Sequence, residues 1–278
     1  MIPFHFAYYK PDTWEEAINL CKDLNFQGKN PMYYSGGTEI ISLATMNEIS
    51  PQAVIDVKGI SECNVLKAEN NYLTIGSAAT LTQIFESNLF PLLGKTCSRI
   101  ADHTIQGKIT LGGNLAGTII YHEAVLPLLL SDSQIVIAGK YGFRSVPIYE
   151  VFNQKIKLLP EEFLVQIVTE YSYINSPYYH DKITTYEKID YPLVTLTALK
   201  KDNRIRVAFA GLCDFPFRSL KIEDEINNKN LSLENRITNV LHNLPGPIID
   251  DIHGSREYRG FVLSHALTKA ITKLEEVG

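Results

Sequence analysis

The sequence predicts an α+β protein built from two units. Three observations carry that prediction. Short strand patterns alternate with helix-period segments over the first sixty residues. Around Ser176-Pro177 the texture changes to consecutive strand patterns followed by helical ones, the order expected of a separate α+β unit. The chain has 278 residues, 45% hydrophobic and 21% charged, which suffices for a normal globular core in one large domain or a few smaller ones. The boundary is placed near residue 177.

Phe4–Tyr9 reads as a strand. Thr13 is placed to cap a helix, with Glu15 and Glu16 in its first turn and Ala17, Ile18, Leu20, Cys21 and Leu24 at helical spacing. Pro31–Tyr34 is a short strand running into a glycine turn, Glu39–Thr45 a short helix leaving it, and Ala53–Val57 a further strand. Asn70-Asn71 between Asn64–Lys67 and Tyr72–Ile75 signals a hairpin, because asparagine tolerates the left-handed backbone of a tight turn. Thr80 caps a helix over Leu81–Phe85, and Pro91 opens another running to about Ala101. His122–Leu130 reads as a helix, Gln134–Ala138 and Gly142–Val146 as a hairpin pair, and Phe163–Tyr171 as a strand. Strand patterns follow at Ile183–Ile189, Leu193–Lys200 and Ile205–Leu212. After a polar stretch, Glu223–Asn230, a long helix runs from about Ser255 to Leu274.

Composition excludes several classes. A net charge of −5 argues against a nucleic-acid partner held on a broad basic face. The four cysteines, at 21, 63, 97 and 213, form no Cys-x-x-Cys pair, which argues against an iron–sulfur or zinc site on this chain. Isolated cysteines fit a reducing cytoplasm. Met1-Ile2-Pro3-Phe4-His5 lacks the charged start and apolar stretch of a signal peptide, and the longest apolar run, near Val125–Leu130, is far too short for a membrane span. The expected setting is therefore cytoplasmic, with no membrane partner.

Two glycine segments carry the most chemistry. The first is Tyr33-Tyr34-Ser35-Gly36-Gly37-Thr38-Glu39-Ile40, the second Thr110-Leu111-Gly112-Gly113-Asn114-Leu115. Glycine pairs allow positive φ and let backbone N–H groups approach a ligand closely. Successive amides make an anion nest, and a helix leaving the turn adds its positive end. Two such bends suit a pyrophosphate held between them by main-chain amides, hence a dinucleotide such as FAD. Taken singly, each segment is equally well a tight strand-to-helix connection or a bulge. Ser35 and Thr38 add hydroxyls beside the first nest, and Glu39 either complements the helix dipole or accepts from a ligand hydroxyl. Gly107 to Gly113 is no P-loop, since Asn114 stands where its lysine belongs, and no Gly-x-Gly-x-x-Gly occurs. His122-Glu123-x-x-Leu126 lacks the second histidine of a zinc-protease helix. Asp250-Asp251 near His253 is more simply a solvated helix entry than a cation site, and no Ser-His-Asp or Cys-His set has supporting spacing.

With their surroundings these segments resemble the FAD-binding (medium) subunits of the xanthine dehydrogenase and carbon monoxide dehydrogenase family of molybdenum hydroxylases. The markers are Ser35-Gly36-Gly37-Thr38-Glu39, Val54-Ile55-Asp56-Val57, Ile75-Gly76-Ser77-Ala78-Ala79-Thr80-Leu81, Thr110-Leu111-Gly112-Gly113-Asn114, Leu159-Pro160-Glu161-Glu162 and Ser255-Arg256-Glu257-Tyr258-Arg259. Their order and spacing, nearly end to end, are specific where no single element is. The resemblance implies a vanillyl-alcohol-oxidase (PCMH) type FAD-binding domain over 1–176, with subdomains of about 1–58 and 59–176. It also implies a C-terminal domain over 177–278, with a three-stranded antiparallel sheet and helices. It implies partners: a molybdopterin subunit that hydroxylates the substrate and an iron–sulfur subunit that carries electrons to this chain's FAD, which passes them to an acceptor, often NAD. A purine such as xanthine is the expected substrate of the assembly; nicotinate, aromatic acyl-CoA and carbon monoxide enzymes stay open.

Carried over by motif, Tyr33, Tyr34, Ser35, Gly36, Gly37, Thr38, Glu39 and Ile40 wrap the pyrophosphate. Thr110, Gly112, Gly113 and Asn114 approach from the second subdomain, with Asn114 near the ribityl chain or flavin. Ile100 and Leu158 are apolar positions near the cofactor, and Lys188 matches a lysine near the flavin. Glu123 stands where many relatives have aspartate, Gln106-Gly107 replaces a frequent Arg-Asn, and Lys188-Ile189-Asp190-Tyr191-Pro192 abbreviates a stretch that usually holds an arginine and an aspartate. No catalytic base is expected, because the flavin does the redox chemistry and the protein places it. Two rival readings are a stand-alone FAD oxidoreductase and a module that kept the fold without the cofactor.

Overall fold

The computed structural model describes residues 2–186 and 189–277. It is organised around three sheets. The first is parallel, with order β1-β3-β2: β1 is Ala7–Tyr9, β2 Pro31–Tyr34 and β3 Ala53–Asp56, with α1 (Trp14–Phe26) and α2 (Thr38–Thr45) as connections. Thr13 caps α1 as expected, its side chain accepting from the Glu16 amide. The apolar stripe Ala17, Ile18, Cys21 and Leu24 is the buried face of that helix. The first strand begins three residues later than its pattern predicts, because only Ala7, Tyr8 and Tyr9 find partners on β3.

The second sheet is antiparallel, in the order β4-β5-β10-β6-β7. Its hairpin β4 (Leu66–Glu69) and β5 (Tyr72–Gly76) turns through Asn70 and Asn71, both at positive φ, as the sequence predicts. Helices α3 (Leu81–Ser87), α4 (Pro91–Cys97), α5 (His103–Gln106), α6 (Leu111–Ala116) and α7 (Val125–Leu130) come next, then the hairpin β6 (Gln134–Gly139) and β7 (Gly142–Pro147). A helical turn, α8 (Ile148–Val151), and a small ribbon, β8 (Phe152–Asn153) with β9 (Lys155–Ile156), lead to β10 (Phe163–Glu170) and the turn α9 (Tyr171–Ile174). Thr80 makes a full capping box with Gln83. Two helices are shorter than predicted. The one after Pro91 stops at Cys97, and Ala101 takes φ +54°. The helix expected over His122–Leu130 begins at Val125, because His122 sits at φ +34°.

The third sheet is also antiparallel: β11 (Tyr178–Thr184), β12 (Pro192–Lys201), β13 (Arg204–Ala210) and β14 (Phe217–Arg218). It therefore has a short fourth strand beyond the three expected. Its first strand lies earlier than the Ile183–Ile189 pattern, since pairing with β12 starts at Tyr178 opposite Leu199. Two helices the sequence reading did not predict, α10 (Leu220–Asn227) and α11 (Leu233–His242), overlap and follow the polar stretch Glu223–Asn230. Ile222 with Ile226, and Ile237 with Val240, supply just enough apolar contact, and Ser219 and Ser232 supply the caps. Helix α12 (Arg256–Glu276) is capped by Ser255 and buries Val262, Leu263, Ala266, Leu267, Ala270, Ile271 and Leu274 against this sheet.

The sheets share cores. Ala138, Phe163 and Val165 of the second sheet pack with α1 and β3, while Leu199, Ala208 and Ala210 of the third join the cluster around α3, α4 and α7. Polar clamps reinforce the first sheet and the packing of α12 on the third. At the first, buried Asp56 accepts from Tyr8 Oη at 2.5 Å and from the Lys58 amide at 2.9 Å, and pairs with Lys58 Nζ at 2.8 Å. In the third sheet Arg259, 1% exposed, donates to the carbonyls of Leu193 (2.8 Å) and Gly211 (2.9 Å) and pairs with Asp251 at 2.7 Å.

Replacing Arg259 by Met leaves those carbonyls without donors. Equilibrium unfolding in urea is expected to show a loss of about 3 kcal/mol. Asp56 gives a pH prediction. Burial opposes its ionisation, yet Lys58 and Tyr8 together hold its carboxyl below the ordinary range. A carboxyl depressed on folding stabilises fully above its unfolded pKa, about 3.9, and the contribution is lost as pH falls through the lower folded value. The urea midpoint of the parent chain should therefore exceed that of Asp56→Asn at pH 7, with the gap closing as the pH drops below 4.

Candidate functional site

A cavity of about 790 Å³ opens where the three sheets meet, within the roughly 300–1,000 Å³ usual for cofactor sites. All the described residues carried over as cofactor-binding lie in its wall; Lys188 falls outside the described residues.

The first glycine bend leaves β2 at Tyr34 and enters α2. Gly37 stands at φ +72°, and a Cβ there would lie 2.3 Å from the Tyr34 hydroxyl oxygen, so only glycine fits both the conformation and the space. Gly37 is also the N-cap of α2 and offers no capping side chain, so the amides of the first turn, Thr38 to Ile40, remain open as at any uncapped helix start. Tyr33 is tied down beneath the bend, donating to Glu161 O at 2.7 Å with its ring tilted on Phe163, and burial pushes its hydroxyl pKa far up.

The second bend is built differently from the expectation. Thr110 is an N-cap, and Gly112, Gly113 and Asn114 are the first turn of α6 rather than a free nest. Their amides are already engaged: Gly112 donates to Ser77 O at 2.8 Å, Gly113 to Thr110 Oγ1 at 3.2 Å and Asn114 to Thr110 O at 2.8 Å. What this bend offers the cavity is room. A Cβ on Gly113 would meet only Thr110 Oγ1, whereas one on Gly112 would lie 2.6 Å from Ser77 Cβ. Asn114 accepts from the Ala124 amide through Oδ1 at 3.3 Å, and its own carbonyl meets His122 Nδ1 at 2.6 Å. The positive φ of His122 that shortens α7 thus seats its ring under the bend.

The two bends touch. A Cβ on Gly36 would lie 1.9 Å from Lys108 O, and one on Gly117 2.6 Å from Glu39 Oε2. Glu39 spends its carboxylate on this junction, accepting from the Thr118 amide at 2.7 Å and the Thr118 hydroxyl at 2.9 Å. It is an internal staple between the bends as well as an acidic residue in the first turn of α2.

Deeper in, Ile100 and Leu158 give the wall an apolar stretch, and Gln106 steadies the Ile100 segment by donating to Ser98 O and Ala101 O. Glu123 is buried and fully engaged. Its Oε2 pairs with Lys182 Nζ at 2.8 Å, its Oε1 accepts from Thr195 Oγ1 at 2.6 Å, and the same ammonium donates to Arg99 O. This carboxylate joins the cavity wall to the third sheet. Sequence reasoning missed Lys182, Ser77 and the stacked pair Tyr121–Tyr191, whose ring centroids are 4.8 Å apart. Ser77 lay inside a quoted marker; nothing in its sequence surroundings distinguished Lys182.

Among the described residues, two wall hydroxyls, Ser35 Oγ and Ser77 Oγ, are buried without a hydrogen-bond partner. A polar ligand fits that pattern, because buried hydroxyls are otherwise paired. Open helix amides, orphaned hydroxyls, a glycine face and an apolar stretch together suit a ligand with an anionic middle and an apolar ring. Among the described residues no cluster of His, Cys, Asp and Glu is arranged to hold a metal ion, and no helix is long and apolar enough to cross a membrane.

Residues 4–169 match the family model for the FAD binding domain in molybdopterin dehydrogenase. The chain is similar to the glyceraldehyde dehydrogenase medium chain of Sulfolobus acidocaldarius, 23% identical over 99% of this chain and 100% of that one. It is also similar to the xanthine dehydrogenase FAD-binding subunit of Escherichia coli O157:H7, 26% identical over 97% and 96%. In fold it resembles carbon monoxide dehydrogenase from Hydrogenophaga pseudoflava, with a TM-score of 0.88, 19% identity and 99% of each chain covered. Quinoline 2-oxidoreductase from Pseudomonas putida 86 gives a TM-score of 0.85 at 21% identity. With most of its length accounted for by that model, the chain belongs to the family of FAD-binding domains of molybdopterin dehydrogenases.

Proposed function

We propose that this chain holds FAD in the cavity and passes electrons from the iron–sulfur clusters of one partner chain to NAD or another acceptor, while a molybdopterin-binding partner hydroxylates the substrate. Its family is that of the FAD-carrying medium subunits of molybdenum hydroxylases. The observation that carries the reading is the convergence on one cavity of residues from separate stretches, 33–40, 100, 110–114, 123 and 158, with two buried unpaired hydroxyls in its wall.

The residues divide the work by chemistry. The open amides of α2 and the Gly36-Gly37 backbone hold the diphosphate, with the hydroxyls of Ser35, Thr38 and Ser77 within the same wall. The bare face at Gly113 lets the cofactor lie close to the backbone, and the Asn114 side chain borders it. Ile40, Ile100 and Leu158 exclude water from its apolar part. Glu123 and Lys182 keep the wall and the third sheet in fixed relation. Bound FAD supplies an isoalloxazine that takes up and releases electrons; the protein supplies position and polarity.

A purine such as xanthine is the substrate we assign to the assembly, supported by the 26% identity to a xanthine dehydrogenase subunit along nearly the whole chain. The cofactor domain is taken as residues 1–176 and the C-terminal domain as 177–278, in a cytoplasmic hetero-oligomer. The test is co-purification with the two partner chains, followed by xanthine oxidation coupled to NAD reduction. Turnover of nicotinate but not xanthine overturns the substrate assignment alone.

Gly113→Val probes the cavity directly, because a Cβ there meets no protein atom within 4 Å except Thr110 Oγ1 at 3.0 Å. Flavin absorbance per chain should fall about tenfold or more, with the circular dichroism spectrum retained. Gly37→Val should also lose flavin, but with local strain from its φ of +72°. Undiminished flavin in the Gly113 variant would show that the cofactor lies elsewhere.

A further inference from the structure

We infer that Lys58 is a positioning residue for the first glycine bend, fixing the plane of the Ser35–Gly36 peptide so that the Gly36 N–H is presented to an anion. The inference rests on the FAD reading above. It starts from a lysine outside every motif quoted for the chain. Lys58 Nζ donates to Ser35 O at 2.6 Å. The same ammonium lies 2.8 Å from both oxygens of Asp56 and 4.6 Å from the centroid of the Tyr34 ring. Asp56 is itself immobilised by Tyr8 Oη and by the Lys58 amide. The ammonium is thus held by the Asp56 carboxylate and the Tyr34 ring as well as by Ser35 O.

The consequence follows from peptide geometry. The described chain contains no cis peptide bonds. In a planar trans peptide the carbonyl and the following N–H point in opposite directions. Drawing Ser35 O toward Lys58 therefore turns the Gly36 N–H away from Lys58. Without that hold, the peptide rotates most readily about its Gly36 side, since Gly36 carries no Cβ to restrict φ. A flipped peptide presents the negative end of its dipole to a diphosphate in place of a donor. Because Asp56 offsets the charge on Lys58, the lysine acts through orientation and not through net positive potential.

The test uses the full chain freed of FAD, titrated calorimetrically with FAD and with ADP, which carries the diphosphate without the flavin. Lys58→Met removes the only donor on that side chain. It should weaken both ligands about tenfold, the scale of one charge-assisted hydrogen bond, when measured well below the thermal midpoint, which itself falls because buried Asp56 loses its cation. Lys58→Arg keeps a cationic donor and should recover most of the affinity; Lys58→Gln, with a neutral donor, should fall between. Parental affinity for both ligands in Lys58→Met overturns the inference, as does a loss for FAD that leaves ADP unchanged. If Gly113→Val also binds FAD normally, the cavity reading has failed as well; if only the Lys58 variants are silent, that reading stands and the lysine's role falls.

Discussion

The contact between the two glycine bends is the constraint on which the rest of this structure depends. Gly36 lies so close to the Lys108 carbonyl that any side chain would overlap it, and Glu39 reaches across to the amide and hydroxyl of Thr118. One bend ends a strand of the parallel sheet and the other begins a helix on the antiparallel sheet. Their contact fixes the angle between the two layers and so defines a cavity wall that neither layer possesses alone. An acidic staple at this point costs little, because both carboxylate oxygens have partners and the first turn of α2 favours a negative charge.

Helix α7 plays the corresponding part at the third sheet. Just before its start, Glu123 pairs with Lys182 and accepts from Thr195. At its far end, Arg206 and Arg218 donate to the terminal carbonyls of Leu130 and Leu129 and pair with Asp132, and Arg218 continues to Glu223. The arginines satisfy carbonyls that a helix C-terminus leaves open, and their charge suits the negative end of its dipole. Buried ion pairs contribute little net stability once desolvation is counted, but breaking one leaves a charge stranded. Two such clamps on a six-residue helix therefore act against slippage between sheets more than they add to stability.

What the sequence made legible follows from the range of each physical signal. Local signals read well: the Thr13 and Thr80 caps, the Asn70-Asn71 turn and the α12 stripe each depend on residues within a turn of one another. Glycine positions read well too, since Gly37 advertises a backbone state few residues adopt. The polar helices α10 and α11 were hidden because each buries only a few apolar residues and owes its stability to the third sheet and α12. The second bend was misread chemically for a related reason. Its amides are consumed by Ser77 and Thr110, and the Ser77 acceptor arrives from a strand end some thirty-five residues away in sequence. Lys182 and Lys58 act through partners distant in sequence or through carbonyls, which no motif records.

The unpaired hydroxyls of Ser35 and Ser77 give the cavity its energetic meaning. A buried polar group without a partner costs about 1–3 kcal/mol, and native chains rarely tolerate it without a reason. Here the two orphans stand in one wall, beside a helix start whose amides are also open. A ligand supplying acceptors to these donors gains hydrogen bonds there in addition to its other contacts. The ion pairs and staples around the cavity tie its wall to the sheets behind it. For a protein whose task is to place a redox cofactor, preorganisation of this kind matters more than any reactive side chain, because the chemistry belongs to the cofactor and its position belongs to the fold.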